Sequence, residues 1–460
     1  MLFNSFEFIC LLLITFFLYY LPAIQKWQVF ILIAAGIVFY GFFNPYLLLL
    51  LFASASISYA FTYLVIHNKG NKKKLFATIG VAINLGVLLF FKYSGFFADL
   101  FLSSDNVMRN FLVSIPLPIG ISFYTFHGIS LLVDAYRNDE SQRWVPTFNY
   151  RNSILYTLFF PQLVAGPILR AKYFIPQIVS KQFNQINWVF CFRHLLIGYF
   201  LKMVIADNLK EQTAYFSEDY LITSMSSITN IILLIGYACQ IFADFAGYSY
   251  IARGLAGLFG YTIILNFNYP YIAKSFATFW RRWNIALSQF MHQYLYIPLG
   301  GNKKGLWFTY RNIFITMALA GFWHGAALGY LIWGIYHALF LMLERPFRAI
   351  KLTIAGGMIK RLAVFFIVVF GWVFFVFPEP ERLFLFFQAV QFNWQLPLHY
   401  APIYFTCLYS LPILAFHIYG WWKENGKQPS PVFKQVVFAI MLFMIIVNSG
   451  SAGSFIYFQF

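Results

Sequence analysis

The sequence has 460 residues, of which 61% are hydrophobic and 10% are charged, and it includes 59 phenylalanines and 31 tyrosines. A soluble domain carries about 25% charged residues and a disordered chain has low hydrophobicity, so both classes are excluded, and four widely spaced cysteines exclude a disulfide scaffold. The net charge of +17 is typical of basic loops held on the cytoplasmic side of a membrane rather than of nucleic-acid binding. The composition therefore predicts an all-α, polytopic transmembrane helical bundle with about ten to eleven spans of roughly 20 residues each.

Apolar runs of spanning length define the two ends of the chain. They cover residues 8–22, 27–43, 46–66, 75–92, 362–377, 401–420 and 432–448. The segment 67–74 carries four lysines and is expected in the cytoplasm, as are the basic clusters at 345–361 and 423–427. Counting spans from these loops places both termini on the extracytoplasmic side. The first run has no positively charged start, which favours a retained helix over a cleaved signal peptide.

The middle of the chain is less regular. Residues 93–116 mix charged and apolar side chains, which predicts a helix lying on the membrane surface. Residues 134–185 and 247–311 are interrupted by Pro and Gly and carry many polar groups. Because an irregular backbone facing lipid would leave N–H and C=O groups unpaired, these two segments must be buried in protein or line a cavity. We therefore expect the functional site there.

The densest polar cluster in the middle part is the run FWRRWN. Its arginines, Arg281 and Arg282, stand between Trp280 and Trp283. This arrangement fits either an interfacial belt, where Trp and Arg favour the headgroup zone, or the binding of an anion such as a cofactor phosphate. Asn284 is a candidate functional residue because a buried amide without partners is costly.

His324, next to Trp323 in the run GFWHG, is the candidate catalytic base. It stands at a break between the short apolar run 312–322 and a helix predicted over 326–343. Since the short run does not span easily, the chain is expected to turn near the middle of the membrane. An ionisable residue there indicates function, and a neutral imidazole can accept a proton from a hydroxyl near pH 7.

For two further histidines, the sequence does not decide between a structural role and a supporting one. His337 follows His324 by 13 residues, or roughly 20 Å of helix, and so cannot share a proton with it unless the chain folds back. His127 lies within a predicted span. The sequence contains no metal-type His or Cys spacing, no Gly-x-Ser-x-Gly and no Walker sequence, so a metal site, a serine hydrolase and ATP hydrolysis are not indicated.

Seven motifs occur in order: LPIGISFYTF (117–126), DAYR (134–137), FPQLVAGPI (160–168), DFAGYS (244–249), FWRRWN (279–284), YLYIPLGG (294–301) and GFWHG (321–325). With these motifs the chain resembles the membrane-bound O-acyltransferase (MBOAT) family, most of all the bacterial branch of alginate and peptidoglycan O-acetyltransferase membrane subunits. The resemblance implies a single membrane domain over 1–460, with N-terminal helices (1–116), a motif-bearing catalytic core (117–345) and C-terminal helices (346–460). It also implies a re-entrant core around a central cavity.

The resemblance assigns catalysis to His324. After the Trp-Arg-Arg-Trp motif the bacterial branch commonly has His, whereas this chain has Asn284, as eukaryotic members often do, 40 residues before His324. Its amide would orient a substrate carbonyl or hydroxyl. The implied acyl donor is acetyl-CoA, a substrate and not a permanently bound cofactor. The basic residues expected to meet its phosphates are Arg281, Arg282, Lys303, Lys304 and Arg311, and the expected supporting residues are Trp280, Trp283, Trp323, His337 and His127.

The resemblance also implies partners. An extracytoplasmic serine-type, SGNH-like protein would receive the acetyl group or place it on the polymer, and the subunit would lie among lipids of the bacterial inner membrane without a nucleic-acid partner. The predicted function is O-acetylation of peptidoglycan or of a secreted glycan such as alginate. An alternative is D-alanyl transfer to teichoic acid from a small carrier protein. A non-enzymatic transporter is disfavoured because the chain shows no internal repeat.

Overall fold

The computed structural model describes residues 1–137, 147–347 and 354–450. Parts of the predicted irregular segment 134–185 and of the basic loop 345–361 lie outside these ranges. Every regular element within them is helical, with short 3₁₀ and π turns between the α-helices. The α-helices are α1 (Phe6–Tyr20), α2 (Gln28–Gly41), α3 (Leu47–His67), α4 (Gly70–Phe101), α5 (Val107–Val113), α6 (Ile121–Tyr136), α7 (Tyr150–Leu158), α8 (Ala171–Phe174), α9 (Trp188–Tyr199), α10 (Asp207–Thr213), α11 (Asp219–Ser224), α12 (Ser227–Leu258), α13 (Phe276–Trp280), α14 (Ile285–Met291), α15 (Leu306–His324), α16 (Leu328–Glu344), α17 (Ile354–Gly371), α18 (Val373–Val376), α19 (Pro380–Phe392), α20 (Tyr400–Glu424) and α21 (Pro431–Val447).

Several of these helices suit a membrane. Among the described residues, seven helical stretches are long and apolar enough to cross one: Pro22–Gly41, Leu47–His67, Gly70–Phe101, Trp188–Ser217, Ser227–Leu258, Gly356–Val376 and Tyr400–Glu424. The apolar helices α1 and α21 are shorter, with 15 and 17 residues. Phe6 and Ile446 on these helices are 77% and 75% exposed, as side chains that face lipid would be. The predicted polytopic helical bundle is confirmed, whereas the count of ten to eleven spans stays a prediction.

The prediction of one surface helix over residues 93–116 is wrong. Helix α4 continues to Phe101 and reaches 32 residues. A turn follows, and α5 begins where the side chain of Asn106 accepts a hydrogen bond from the backbone N–H of Met108 at 2.8 Å. Asp99 on α4 then pairs with Arg109 on α5 at 2.7 Å. The charges that suggested a surface helix thus join two helices across a turn.

The described chain packs as two compact units. The first comprises Met1–Leu195 and Tyr250–Ile264, and the second comprises Leu196–Ser249 and Leu265–Phe460, in so far as these residues are described. Helix α12 belongs in part to each unit. The division into N-terminal helices, catalytic core and C-terminal helices stays a prediction.

The first unit is held by close helix packing and by a buried irregular segment. At Gly128 on α6, a Cβ atom would lie only 2.4 Å from the hydroxyl of Ser58 and 2.5 Å from the amide oxygen of Asn84, so glycine is required for these helices to approach. Residues 159–170, which contain the motif FPQLVAGPI, are irregular, and all of them are buried. Gln162 Nε2 donates to the carbonyl of Tyr156 at 2.9 Å. The burial expected for irregular backbone is confirmed here.

Candidate functional site

His324 lies in the second unit at the C-terminal end of α15. The chain leaves helical geometry at residues 325–327 and α16 begins at Leu328, so the predicted break is observed. The two helices then run back along each other at very short range, because a Cβ atom at Gly321 would lie 2.8 Å from the Cα of Gly334. His324 is 7% exposed and is therefore a buried imidazole at a turn of the chain.

Aromatic rings surround His324. Its ring centroid lies 5.0 Å from Trp323, 5.2 Å from Trp333 and 5.1 Å from Phe375. Gly325 admits a further ring, because a Cβ atom there would lie 2.2 Å from Tyr330. This packing fixes the imidazole in an environment that contains little water.

His337 also contacts Trp333. Their ring centroids are 4.8 Å apart, and His337 also contacts Trp280 at 5.2 Å. It is fully buried, and neither of its ring nitrogens has a hydrogen-bond partner in the described part of the chain. The sequence placed His337 nearly four helical turns from His324. The hairpin of α15 and α16 supplies the fold-back on which their proximity depends, and Trp333 contacts both imidazoles.

The run FWRRWN forms the end of α13 and the turn into α14. Trp280 packs on Trp333 with centroids 5.6 Å apart, and Trp283 packs on Trp372 at 5.0 Å. The two arginines differ, because Arg282 pairs with Glu424 at 2.5 Å whereas Arg281 is exposed and bonds Thr278 Oγ1 at 3.1 Å. An anion can therefore meet Arg281 more readily than Arg282.

Asn284 is buried in a left-handed backbone conformation. Its φ and ψ are 41° and 58°, and it is 3% exposed. Asn tolerates this region better than most residues. The turn is anchored by Asn266, whose side-chain oxygen accepts from the backbone N–H of Ala286 at 3.0 Å. Asn284 thus has a conformational role as well as the predicted chemical one.

Two cavities open in the second unit. The first, here called the carboxylate cavity, has a volume of about 360 Å³. Its wall includes Lys202, Asp207, Lys210, Thr213, Tyr237, Gln240, Asp244, Tyr330, Phe375, Glu379 and Arg382. Tyr330 and Phe375 pack on each other with centroids 4.9 Å apart, and Phe375 also contacts His324. The carboxylate cavity therefore shares its aromatic wall with the candidate base.

The second, here called the basic cavity, has a volume of about 1100 Å³. The charged residues on its wall are Lys274, Arg281, Glu344, Lys360, Arg361 and Lys427. The carboxylate of Glu344 accepts from the backbone N–H groups of Phe276 and Ala277 at the start of α13. Its negative charge thus stabilises a helix N-terminus. Five cations on the described wall of the cavity can attract an anionic ligand.

The two cavities lie near opposite ends of helix α16. Tyr330, near its start, lines the carboxylate cavity, and Glu344, its last residue, lines the basic cavity. Fourteen helical residues correspond to about 20 Å. Trp333 and His337 occupy the stretch between them. His324 contacts Trp333 from the end of α15, so its ring packs against this stretch of α16.

The remaining predicted residues lie elsewhere. Lys303 and Lys304 are exposed in the turn before α15, and Arg311 donates to the carbonyl of Leu299 at 3.1 Å. None of these three is on the described wall of the basic cavity. His127 belongs to the first unit, where its ring lies 5.0 Å from Tyr156. Within the described ranges, no three His, Cys, Asp or Glu side chains are grouped as metal ligands would be.

Except for Arg281, sequence reasoning did not assign the charged groups of the two cavities to a site. Lys202 looks like a single basic residue in an apolar run, and Lys274, Lys360 and Lys427 are far apart along the chain. Asp244 stands within the motif DFAGYS, which was the one available sign of the carboxylate cavity.

Comparisons with known proteins give one family model and several named relatives to which the chain is similar. The model of the membrane-bound O-acyltransferase family matches residues 126–388. The probable alginate O-acetylase AlgI of Pseudomonas aeruginosa is 35% identical over 385 residues, covering 82% of this chain and 72% of that protein. The peptidoglycan O-acetyltransferase of Helicobacter pylori is 34% identical over 380 residues, covering 75% and 70%. The teichoic acid D-alanyltransferase of Bacillus subtilis is 30% identical over 239 residues, covering 48% and 58%.

Proposed function

The chain belongs to the membrane-bound O-acyltransferase family, and we propose that it passes an acetyl group from cytoplasmic acetyl-CoA across the membrane for O-acetylation of an extracytoplasmic polysaccharide. It is an O-acyltransferase and a multi-pass membrane protein. The relatives named for alginate and peptidoglycan acetylation support acetyl as the group and a bacterial polysaccharide as its destination.

The observation that carries this proposal is that His324 packs against Phe375, on the wall of the carboxylate cavity, and against Trp333 on α16, the helix whose last residue lines the basic cavity. The basic cavity offers five cations where a CoA molecule would present its phosphates, and Arg281 is the one sequence-predicted residue among them. The stretch of α16 between the cavities is about 20 Å long, a distance that an extended pantetheine arm can cover. The acyl end of a donor seated in the basic cavity would then reach toward His324.

The chemistry follows from an imidazole beside an acceptor hydroxyl. His324 takes the hydroxyl proton while the oxygen attacks the thioester carbonyl, and a C–O bond forms. The C–S bond then breaks, and the CoA thiolate takes the proton back from the imidazolium. The amide of Asn284 would donate to the oxyanion or orient the acyl group. In a variant of this route, His324 carries the acetyl group for a moment before the hydroxyl attacks.

The surroundings follow from the same proposal. The protein would lie in the bacterial inner membrane with both termini outside the cytoplasm and with the basic cavity on the cytoplasmic side. An extracytoplasmic serine-type, SGNH-like protein would receive the acetyl group or place it on the polymer. D-alanyl transfer is the second candidate. It is supported by the Bacillus subtilis relative, whose match covers 48% of this chain.

The test is the ester-linked acetate that mild alkali releases from purified cell-envelope glycans. A deletion strain complemented with His324→Ala at matched membrane abundance should release no more acetate than the deletion strain itself. The matched control is His67→Ala, which removes an exposed histidine at the end of α3. Full acetylation by His324→Ala would overturn the assignment of the base. Unchanged acetate in the deletion strain, with D-alanine lost instead, would favour the second candidate.

A further inference from the structure

One part of the wall of the basic cavity is formed by the short helix α13 and the residues beside it. This part consists of Ser275, Phe276, Ala277, Thr278 and Arg281, together with Glu344 from the end of α16. Helix α13 has only five residues, Phe276–Trp280. A helix this short is not stable by itself, so its position depends on the contacts that hold it.

The start of α13 is held by side chains. The carboxylate of Glu344 accepts hydrogen bonds from the backbone N–H groups of Phe276 and Ala277. The hydroxyl of Ser275 accepts from the backbone N–H of Thr278 at 3.0 Å. Three successive N–H groups that a helix leaves unpaired at its start are thus satisfied, and two of them are satisfied by one residue from another helix.

Helix α13 also packs along α16. Phe276 stacks on Phe340 with ring centroids 4.9 Å apart, and Trp280 contacts His337 with centroids 5.2 Å apart. The start of α13 therefore lies near the end of α16, and the end of α13 lies nearer the middle of α16. Glu344, the last residue of α16, fixes this antiparallel alignment at one end.

Hydrogen bonds connect the start of α13 to Arg281. The hydroxyl of Thr278 accepts a hydrogen bond from the guanidinium of Arg281 at 3.1 Å and another from the hydroxyl of Ser275 at 2.7 Å. Thr278 directly follows the two residues that Glu344 binds. A shift at the start of the helix therefore displaces the group that orients the guanidinium.

The charge of Glu344 is unfavourable for the binding of an anionic donor. The cations on the described wall of the basic cavity attract such a donor, whereas the carboxylate of Glu344 repels it. If charge alone mattered here, removing this carboxylate would strengthen donor binding. Its hydrogen bonds to α13 act in the opposite direction, because they hold a wall of the same cavity in place.

We propose that Glu344 is a positioning residue of the donor site. It holds α13 against α16 and, through Thr278, places Arg281 for contact with a phosphate of the donor. The inference rests on the proposed function. It adds a residue that sets donor affinity through another side chain.

The turn that follows α13 is held by a different residue. Asn266 accepts from the backbone N–H of Ile285 through its carbonyl at 2.9 Å and from that of Ala286 through its side chain at 3.0 Å. Asn284 therefore keeps its place when the start of α13 is released. A change at Glu344 is expected to alter donor affinity much more than kcat.

The experiment compares two variants that remove the same charge. Glu344→Gln keeps the length of the side chain and one acceptor oxygen, whereas Glu344→Ala keeps neither. The equilibrium Kd of CoA and the KM of acetyl-CoA are measured on the purified full-length protein in detergent at low salt. Glu344→Ala should raise both values by about five- to tenfold relative to Glu344→Gln, as the loss of a hydrogen bond does, while the kcat values of the two variants agree within about twofold.

The control removes a carboxylate that lies elsewhere. Glu381→Gln changes an exposed side chain on α19 that is not on the described wall of the basic cavity, and it should alter the Kd of CoA by less than about twofold.

A third variant keeps the test decisive if Glu344→Ala does not fold. Glu344→Asp keeps the charge and shortens the side chain by one methylene, so it should also raise the Kd of CoA, whereas a role of charge alone predicts no change. Equal Kd values for Glu344→Gln and Glu344→Ala, or a wild-type value for Glu344→Asp, would overturn the inference. So would a loss of kcat as large as the rise in Kd. The proposed function fails on a different result, namely acetyl-CoA that is not consumed by wild type or is consumed equally by His324→Ala.

Discussion

The two cavities described in the second unit differ in the exposure and pairing of their charged side chains. In the basic cavity, cations such as Lys274 and Lys427 stand on exposed side chains, and the carboxylate of Glu344 accepts hydrogen bonds from a helix N-terminus. In the carboxylate cavity, Lys202 and two aspartates are nearly inaccessible and compensate one another. The first arrangement is suited to attract a polyanion from a distance, whereas buried and paired charges exert little attraction at long range.

This difference teaches what each cavity can select. Long-range attraction is screened by salt and has little geometric content, so the basic cavity would recognise a class of charged molecule. A fixed, buried carboxylate oxygen recognises a hydrogen-bond donor at one place. Helix α16 thus joins a cavity with exposed cations to a cavity with buried, paired charges, and His324 contacts Phe375 on the wall of the second.

The largest effect is expected when the compensation in the carboxylate cavity is broken. Lys202→Met leaves Asp207 and Asp244 as uncompensated buried carboxylates, which should lower the free energy of unfolding by about 3–5 kcal/mol. Thermal or denaturant unfolding of the purified protein measures this change. Lys172→Met is the control, because Lys172 is a half-buried lysine on α8 in the first unit, whereas the ion cluster belongs to the second.

A compensating variant sharpens that prediction. Adding Asp207→Asn and Asp244→Asn to Lys202→Met removes all three charges and should restore most of the lost stability. Equal stability of Lys202→Met and the wild type would mean that the cluster is not desolvated as its burial implies.

The next effect concerns Asn284, which shares a six-residue run with the basic-cavity residue Arg281. Asn284→Gly adopts the left-handed conformation without strain, so the free energy of unfolding should stay within about 1 kcal/mol of wild type. The loss of the amide should lower kcat by about a hundredfold, as the removal of an oxyanion donor does. Asn284→Ala should lose activity and, in addition, about 1–2 kcal/mol of stability. A fully active Asn284→Gly would restrict Asn284 to its backbone role.

A smaller effect is expected at the basic cavity. Lys274→Gln combined with Lys427→Gln removes two exposed cations, and the KM for acetyl-CoA should rise by about five- to tenfold in low salt. The difference from wild type should shrink toward unity near 0.5 M salt, where such charges are screened over roughly 4 Å. The KM of the hydroxyl acceptor serves as the internal control and should not change. A salt-independent loss would mean that these lysines act through packing.

The large-scale fold was open to sequence reasoning because lipid imposes simple rules. The apolar runs at 46–66 and 401–420 correspond to the observed helices Leu47–His67 and Tyr400–Glu424. The segment 159–170, which contains Pro and Gly, is irregular and buried, as irregular backbone in a membrane must be. The interpretation of charged residues as a sign of a surface helix was wrong at residues 93–116. There a charged pair, Asp99 and Arg109, joins two helices across a turn.

The candidate site could be predicted from the sequence only where its residues are close together in the chain. The break at His324 was visible, because a short apolar run ends there. The approach of His324 to Trp333 depends on Gly321 and Gly334 meeting across the hairpin of α15 and α16, and periodicity carries no information on that contact. The cluster of Lys202 with its two aspartates was equally hidden, since those residues look like isolated polar interruptions of apolar helices.

The smallest effect is expected at residues that sequence reasoning assigned to the donor and the structure places off the basic cavity. Lys303→Gln combined with Lys304→Gln removes as much charge as the Lys274 and Lys427 pair, but both lysines stand in an exposed turn outside the described cavity wall. The KM for acetyl-CoA should change by less than about twofold in low salt, because exposed charges that make no contact with the ligand are screened. A rise as large as that of the cavity pair would show that the donor phosphates extend to this turn, and the contrast between a charge-capturing cavity and its surroundings would no longer hold.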